Sequence, residues 1–446
     1  MGSRKRKALL ISYAWPPMEG IGLLRVLKFA QYLPLYGWEA SILTVKTAAD
    51  SSSCDEGFVQ AGTKVFRSEY RDRAEDIRRI FRITKKSGLA HSGSSNRDPE
   101  KKRRKNTVPS FMRELITMPD GQIGWYPFAV QLGMEVLQKN RFDIVFSTSP
   151  PETAHLIARK MKKEYGIPWV ADLRDLWADD HFRPRTIFKK VMLKFIERNT
   201  LRDADAVVTV SEPWARTLRT SLGKSCPDVK VITNAFDDND FASMRYGRNK
   251  KFTISYTGKL HREYQRVDPF FKALRDLIAE GRIDRNKIFV DFFIMGYDKP
   301  DITAIAKMYG LSDVVRESAK VSYSESLKIQ KASDALLLIQ WIGKGGEGCH
   351  TAKLYDYLGA RRPVIALTTR GGVMKDLVRA TSCGAAVYGD HDLRESILGL
   401  YTEYVAKGYV DYTGNELEIQ KHTRAIKAGE LAGLFDSLVA DTGKLE

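Results

Sequence analysis

Residues 343–367 read GKGGEGCHTAKLYDYLGARRPVIAL. Leu354, Tyr357 and Leu358 have helical spacing, and PVIAL is a short apolar run of buried-strand type entered through Pro363. The run ALLLIQW lies just before the glycine loop, so the order is strand, loop, short helix, strand. That is the unit from which parallel sheets are built. Glycines at a helix N-terminus leave backbone N–H groups open to an anion. Asp356 stands inside the helix, where a carboxylate near a phosphate site receives sugar hydroxyls, as in ribose recognition, or faces solvent.

The same alternation extends along most of the chain. KALLISYAW, ASILTV, FDIVFST, PWVAD and AVVTV form a first series of strand candidates. FTISYTG, KIFVDFFIMG, ALLLIQW, PVIAL and GAAVYG form a second. Between the first two, Leu24, Leu27, Lys28 and Gln31 are spaced for a helix that stops near Gly37. Two series imply two doubly wound α/β domains: residues 1–240 and 251–420, joined through the basic stretch 241–251. Residues 421–446 form a C-terminal helix that caps the second domain or crosses back to the first. A chain of 446 residues is long enough for two such cores.

Composition narrows the function. The net charge of +17 calls for an anionic partner: nucleic acid, an acidic membrane surface or a phosphorylated substrate. Residues 67–105 carry 14 Lys/Arg against 6 Asp/Glu, nearly half of that excess. Tyr70, Ala74, Ile77, Ile80 and Phe81 make a helical stripe there. The segment reads as a solvated insertion or as a patch for anionic lipid heads. The four cysteines lack metal or redox spacing and are expected as free thiols in a reducing compartment. ALLISYAW, ending at Pro16-Pro17, reads as a first strand rather than a signal segment.

A second glycine loop, WPPMEGIG (residues 15–22), follows the first strand and offers Gly20 and Gly22 to a phosphate or to a tight turn. At this point the residues resemble a known family. Residues 343–367 are similar to the donor-site element of family 4 glycosyltransferases, GT-B enzymes with two Rossmann-like domains facing across a cleft. ISYAWPPMEGIGLLRVLKFAQYLPLYGWEASILT resembles that family's first strand, loop and helix, and PWVADLRDLW resembles a loop of its bacterial surface-polysaccharide members. RDADAVVTVSEPWARTL, VKVITNAFDDNDF and ISYTGKLHREYQRVDPFFKAL continue the resemblance in order.

The resemblance implies retaining transfer from a nucleoside diphosphate sugar without a metal ion or other cofactor, to a lipid-linked or polysaccharide acceptor. A cytoplasmic enzyme held peripherally at the inner membrane is expected, with residues 67–105 on the anionic surface. Nucleic acid is not expected as partner, because the basic excess is concentrated in that insertion and no nucleic-acid motif appears. The departing diphosphate then needs Arg, Lys or backbone N–H groups. Lys259, Arg262 and Arg266 are the candidates, Arg266 first because it precedes the helix starting near Asp268-Pro269. Lys259 stands where the family has Arg, and Tyr264 where it has Lys. Asp356 takes the second place of the family's pair of acids. Gly348 holds the first, with Glu347 one residue away. Gly346 and Lys353 complete the donor set. Across the cleft, Asp175 and Arg174 are expected at the acceptor hydroxyl, or as a pair that fixes the loop. Asp172, Trp125 and Trp177 are the acceptor-side candidates, the tryptophans as a platform or as core. The competing readings are a sugar-nucleotide epimerase on the same fold and a basic protein for nucleic acid or anionic lipid. Neither DLRD nor DDND has the context of a metal-binding Asp-x-Asp.

Overall fold

The structure, a computed structural model, describes residues 5–18, 20–47, 63–73, 116–180, 185–242, 244, 246–247, 249–296, 298–343 and 346–442. Most of the basic insertion therefore lies outside the described residues, as do Ala74, Ile77, Ile80 and Phe81 of its apolar stripe.

The chain forms two sheets. The first contains β1 (Arg6–Ile11), β2 (Trp38–Val45), β3 (Val65–Ser68), β4 (Ile144–Ser149), β5 (Trp169–Leu173), β6 (Ala206–Thr209) and β7 (Asp228–Val231) in the order 3-2-1-4-5-6-7. The second contains β8 (Phe252–Lys259), β9 (Ile288–Met295), β10 (Val315–Ser318), β11 (Ala335–Ile339), β12 (Val364–Leu367) and β13 (Gly384–Val387) in the order 10-9-8-11-12-13. Pairs such as β1–β2, β1–β4, β8–β9 and β8–β11 are parallel, and helices connect successive strands. β4 and β11 are buried along their whole length, as expected of parallel strands covered on both faces. In each sheet the strand order reverses beside the first strand, at β1/β4 and at β8/β11, and that is where such folds bind ligands.

All ten strands expected from apolar runs are present. The three that had no such run, β3, β7 and β10, are edge strands of four residues with mostly half-buried or exposed side chains. The first helix runs Ile21–Tyr32, a 3-10 turn Leu33–Tyr36 extends it, and Gly37 ends it at φ 81°.

By contacts the chain divides into residues 1–208, 218–230 and 435–446, and residues 209–217 and 231–434. Residues 231–240 thus pack with the second unit, because Phe236 and Phe241 belong to its core beside Leu354 and Leu358. The last helix, Arg424–Thr442, begins in the second unit and ends in the first. There Phe435 lies 5.2 Å from the Trp38 ring, and Asp436 accepts the indole N–H of Trp38 at 2.7 Å. Cys226, Cys349 and Cys383 form no disulfide among the described residues, and Cys54 lies outside them. Among the described residues no helix is long and apolar enough to cross a membrane.

Candidate functional site

The switch point of the second sheet gathers the cationic chemistry. β8 ends in Gly258 and Lys259, and the loop after β11 leads into the helix Ala352–Ala360. Lys353, in the first turn of that helix, reaches back across β8. Its ammonium donates to the Tyr256 hydroxyl and, at 3.0 Å, to the carbonyl of Lys259. It also lies 3.9 Å from the centre of the Tyr256 ring. Gly258 makes this passage possible: at φ 111° it favours glycine, and a Cβ there would stand 3.1 Å from Lys353 Cε. Burial lowers the Lys353 pKa from its ordinary value to about 7.

The other donor-side cations lie further out. Lys259 and Arg262 have exposed side chains, and Arg262 donates to the Lys299 carbonyl at 3.2 Å. Arg266 pairs with Asp268 at 3.0 Å on the surface. Tyr264, where the resemblance leads to an expected Lys, stacks on Trp341 at 4.1 Å with an interplanar angle of 11°. His261 meets the same indole edge-on. An aromatic pair thus occupies the place in which a cation was sought.

The glycines of the opening stretch are explained first by packing. A Cβ on Gly346 would lie 2.4 Å from the Trp341 carbonyl, and one on Gly348 would lie 2.7 Å from the Trp214 ring. Both glycines are buried, whereas Glu347 between them is exposed. Gln340 fastens the turn, its amide N–H reaching the Gly346 carbonyl at 3.4 Å and its oxygen accepting from Thr369 N–H at 3.0 Å. Residues 344 and 345 of the loop lie outside the described residues.

Asp356 is 7% exposed and accepts the Tyr323 hydroxyl at 3.1 Å. Burial pushes its carboxyl up to about 7, against the opposing pull of Arg424 and Tyr323. The folded state therefore holds this proton more tightly than the unfolded chain, whose Asp titrates near 4. The stability that follows is full below about pH 4 and is lost as pH rises to about 7. Relative to Asp356→Asn, the wild type should lose on the order of 3 kcal/mol over that window, read as paired unfolding midpoints.

In the first unit, Arg174 donates to three backbone carbonyls: Ser149 at 2.8 Å, Pro150 at 2.9 Å and Gly22. It ties the end of β4 to the start of the first helix, and a Cβ on Gly22 would crowd its guanidinium at 3.1 Å. Asp175 is half-buried, and its charge acts on Arg174. Gly20 sits at φ 144° with open space beside it. Asp172 is fully enclosed, bound by Arg25 at 2.9 Å and by the Thr148 hydroxyl at 2.7 Å. Trp125 and Trp177 are also fully buried. Trp125 donates to Ser68 Oγ at 2.7 Å, and Trp177 packs on His155.

The structure therefore brings Gly258, Lys259 and Lys353 together, and Arg174 with Gly22. Arg262 and Arg266 bond elsewhere, to the Lys299 carbonyl and to Asp268. Tyr256, Tyr323, Arg424 and the Tyr264–Trp341 pair were missed. Their only signal was Gly258 two residues after Tyr256, a sign of close approach that does not say which side chain approaches. Among the described residues no three His, Cys, Asp or Glu side chains gather as a metal site.

Two Rossmann-like units in tandem define the fold class. Residues 24–235 match the family described as Glycosyl transferase 4-like domain. The sucrose-phosphate synthase of Thermosynechococcus elongatus is similar over 98% of this chain and 100% of its own, at TM-score 0.62 and 12% identity. HepE of Anabaena, solved with UDP-glucose, covers 99% of this chain and 100% of its own, at TM-score 0.55 and 13% identity. TarM of S. aureus, as a mutant solved with fondaparinux, α-GlcNAc-glycerol and UDP, covers 96% and 99%, at TM-score 0.59 and 11% identity. At these identities the likeness is one of fold, and the fold is GT-B. No curated protein matches the sequence. Residues 24–235 thus resemble the glycosyl transferase 4-like family, and the fold over nearly the whole chain is GT-B.

Proposed function

We propose that the protein is a retaining, metal-independent glycosyltransferase that moves a hexosyl unit from a nucleoside diphosphate sugar to a lipid-linked or polysaccharide acceptor in surface-polysaccharide synthesis. The observation that carries this reading is Lys353, a cation placed over the glycine at the end of β8, beside the switch point of the second sheet. As the glycosidic bond breaks, negative charge grows on the departing diphosphate. A fixed ammonium aimed at that charge stabilises the transition state without a divalent ion. The UDP and UDP-glucose held by structures of the same fold support a donor of this class. Lys353 is the diphosphate cation in this account, with Lys259 and Arg262 at the rim and Asp356 orienting the helix or the ribose through Tyr323. Arg174 and Asp175 shape the acceptor side. The basic residues 67–105 hold the enzyme at the cytoplasmic membrane surface.

The test is turnover of a panel of UDP-, GDP-, ADP- and TDP-sugars with membrane extract and EDTA, with the product's anomeric configuration read by NMR. One donor should be consumed, and the α-linked donor should yield an α-linked product. An inverted product, or an absolute need for a divalent ion, contradicts the mechanism. Conversion of the donor to an isomeric donor without acceptor would make the protein an epimerase.

A further inference from the structure

The helix Ile187–Leu201, between β5 and β6, has two opposed faces. Leu193, Glu197, Thr200 and Leu201 are buried against the first unit. On the far side Ile187, Val191 and Phe195, spaced four apart, are 85%, 61% and 65% exposed. Residues at this spacing form one continuous stripe along a helix. Single exposed apolar residues are ordinary, but an aligned row of three large ones on a helix is a contact surface.

The border of the stripe says what the surface meets. Lys190 and Lys194 lie along one side, and Arg198 one turn on, all with exposed side chains. Lys190 and Lys194 share a single carboxylate, Asp179, at 2.8 and 3.3 Å, so the edge keeps a positive excess. The helix's own acid, Glu197, is turned inward, and burial pushes its carboxyl up to about 8. Thr186 caps the helix, its hydroxyl accepting from Lys189 N–H at 3.3 Å, so the element is formed before any partner arrives.

We propose that this helix lies in the surface of an anionic lipid bilayer, with Ile187, Val191 and Phe195 among the acyl chains and Lys190, Lys194 and Arg198 at the lipid phosphates. An apolar stripe beside basic residues is the pattern of interfacial helices. A second copy fits less well. Pairing like faces would set Lys190 and Lys194 of both copies against each other, and three side chains fall far short of the roughly 800 Å² per partner of a stable interface. A nucleic acid would answer the lysines but not the apolar row. The inference is independent of the sugar-transfer reading and of the basic insertion, because it rests on a different element and is read by binding alone.

The test is co-sedimentation of the full chain with vesicles of phosphatidylcholine, or of phosphatidylcholine with 30% phosphatidylglycerol, at about 0.1 M salt. The wild type should bind the anionic vesicles at least tenfold more tightly than the neutral ones. Val191→Asp combined with Phe195→Asp should weaken binding by about thirtyfold or more, as two side chains leave the acyl region. Lys190→Ala combined with Lys194→Ala should remove most of the preference for anionic vesicles, about fivefold per lysine. All four positions are exposed, so the variants should keep the wild-type unfolding midpoint. Failure of the wild type to bind anionic vesicles overturns the proposal. So does undiminished binding by the aspartate variant, which would leave the basic insertion as the membrane contact.

Discussion

Lys353→Ala should lower kcat/KM for the sugar donor by about 100-fold to 1000-fold while leaving the fold intact. Removing one fixed donor aimed at a developing negative charge costs about that much in other enzymes. Here the donor is an ammonium held over the Tyr256 ring and bonded to the Lys259 carbonyl. The loss should fall on kcat at least as much as on KM, because the charge it meets is larger in the transition state than in the bound donor. Lys353→Arg should not restore the rate, since a planar guanidinium cannot reproduce the compact ammonium's bonds to the Tyr256 hydroxyl and the Lys259 carbonyl. The free enzyme's Lys353 titrates near pH 7. A bound diphosphate favours the charged form and raises that value. Binding at pH 8 should therefore take up close to one proton, measurable by calorimetry in buffers of different ionisation enthalpy. The uptake should vanish in Lys353→Ala.

Arg25→Ala should strongly destabilise the first unit. Arg25 and Asp172 are 3% and 0% exposed, and Arg25 Nε reaches the carboxylate oxygens at 3.2 and 3.1 Å while Nη2 binds at 2.9 Å. Removing one partner leaves a charge in the interior, which costs about 3–5 kcal/mol. For a unit of this size that lowers its midpoint by roughly 10 °C or more. Replacing both, as Arg25→Met with Asp172→Leu, should recover most of the loss, because an apolar pair of similar volume avoids the buried charges. The pair also separates two roles for Asp172. If it bound the acceptor, Asp172→Asn would raise the acceptor KM at unchanged stability. Enclosed as it is, the change should instead lower the midpoint first.

Much of this architecture was readable because a parallel strand covered on both faces is written as a continuous apolar run. β4, β8 and β11 are of that kind, and their spacing gives the two sheets in order. β3, β7 and β10 were not readable, because an edge strand with one open face need not be apolar. The site was legible where chemistry is local to a loop, as in the glycines beside the helix at Lys353. It was not legible where two distant elements meet. Nothing near Lys353 in the sequence points to Tyr256, and nothing near Asp356 points to Tyr323. The glycines of the opening loop show a further ambiguity, for the same residue type serves a phosphate and the close approach of an indole. Gly346 and Gly348 lie against Trp341 and Trp214, which a reading of the loop alone does not reveal.

The most direct test of the central claim is calorimetric titration of UDP, GDP, ADP and TDP into the wild type and Lys353→Ala at pH 6.5, where the ammonium is largely charged. One nucleoside diphosphate should bind the wild type, and the variant should bind it at least 100-fold more weakly. Equal binding by both proteins, or binding of none of the four, would contradict the assignment of Lys353 and its glycine-lined approach as the donor diphosphate site.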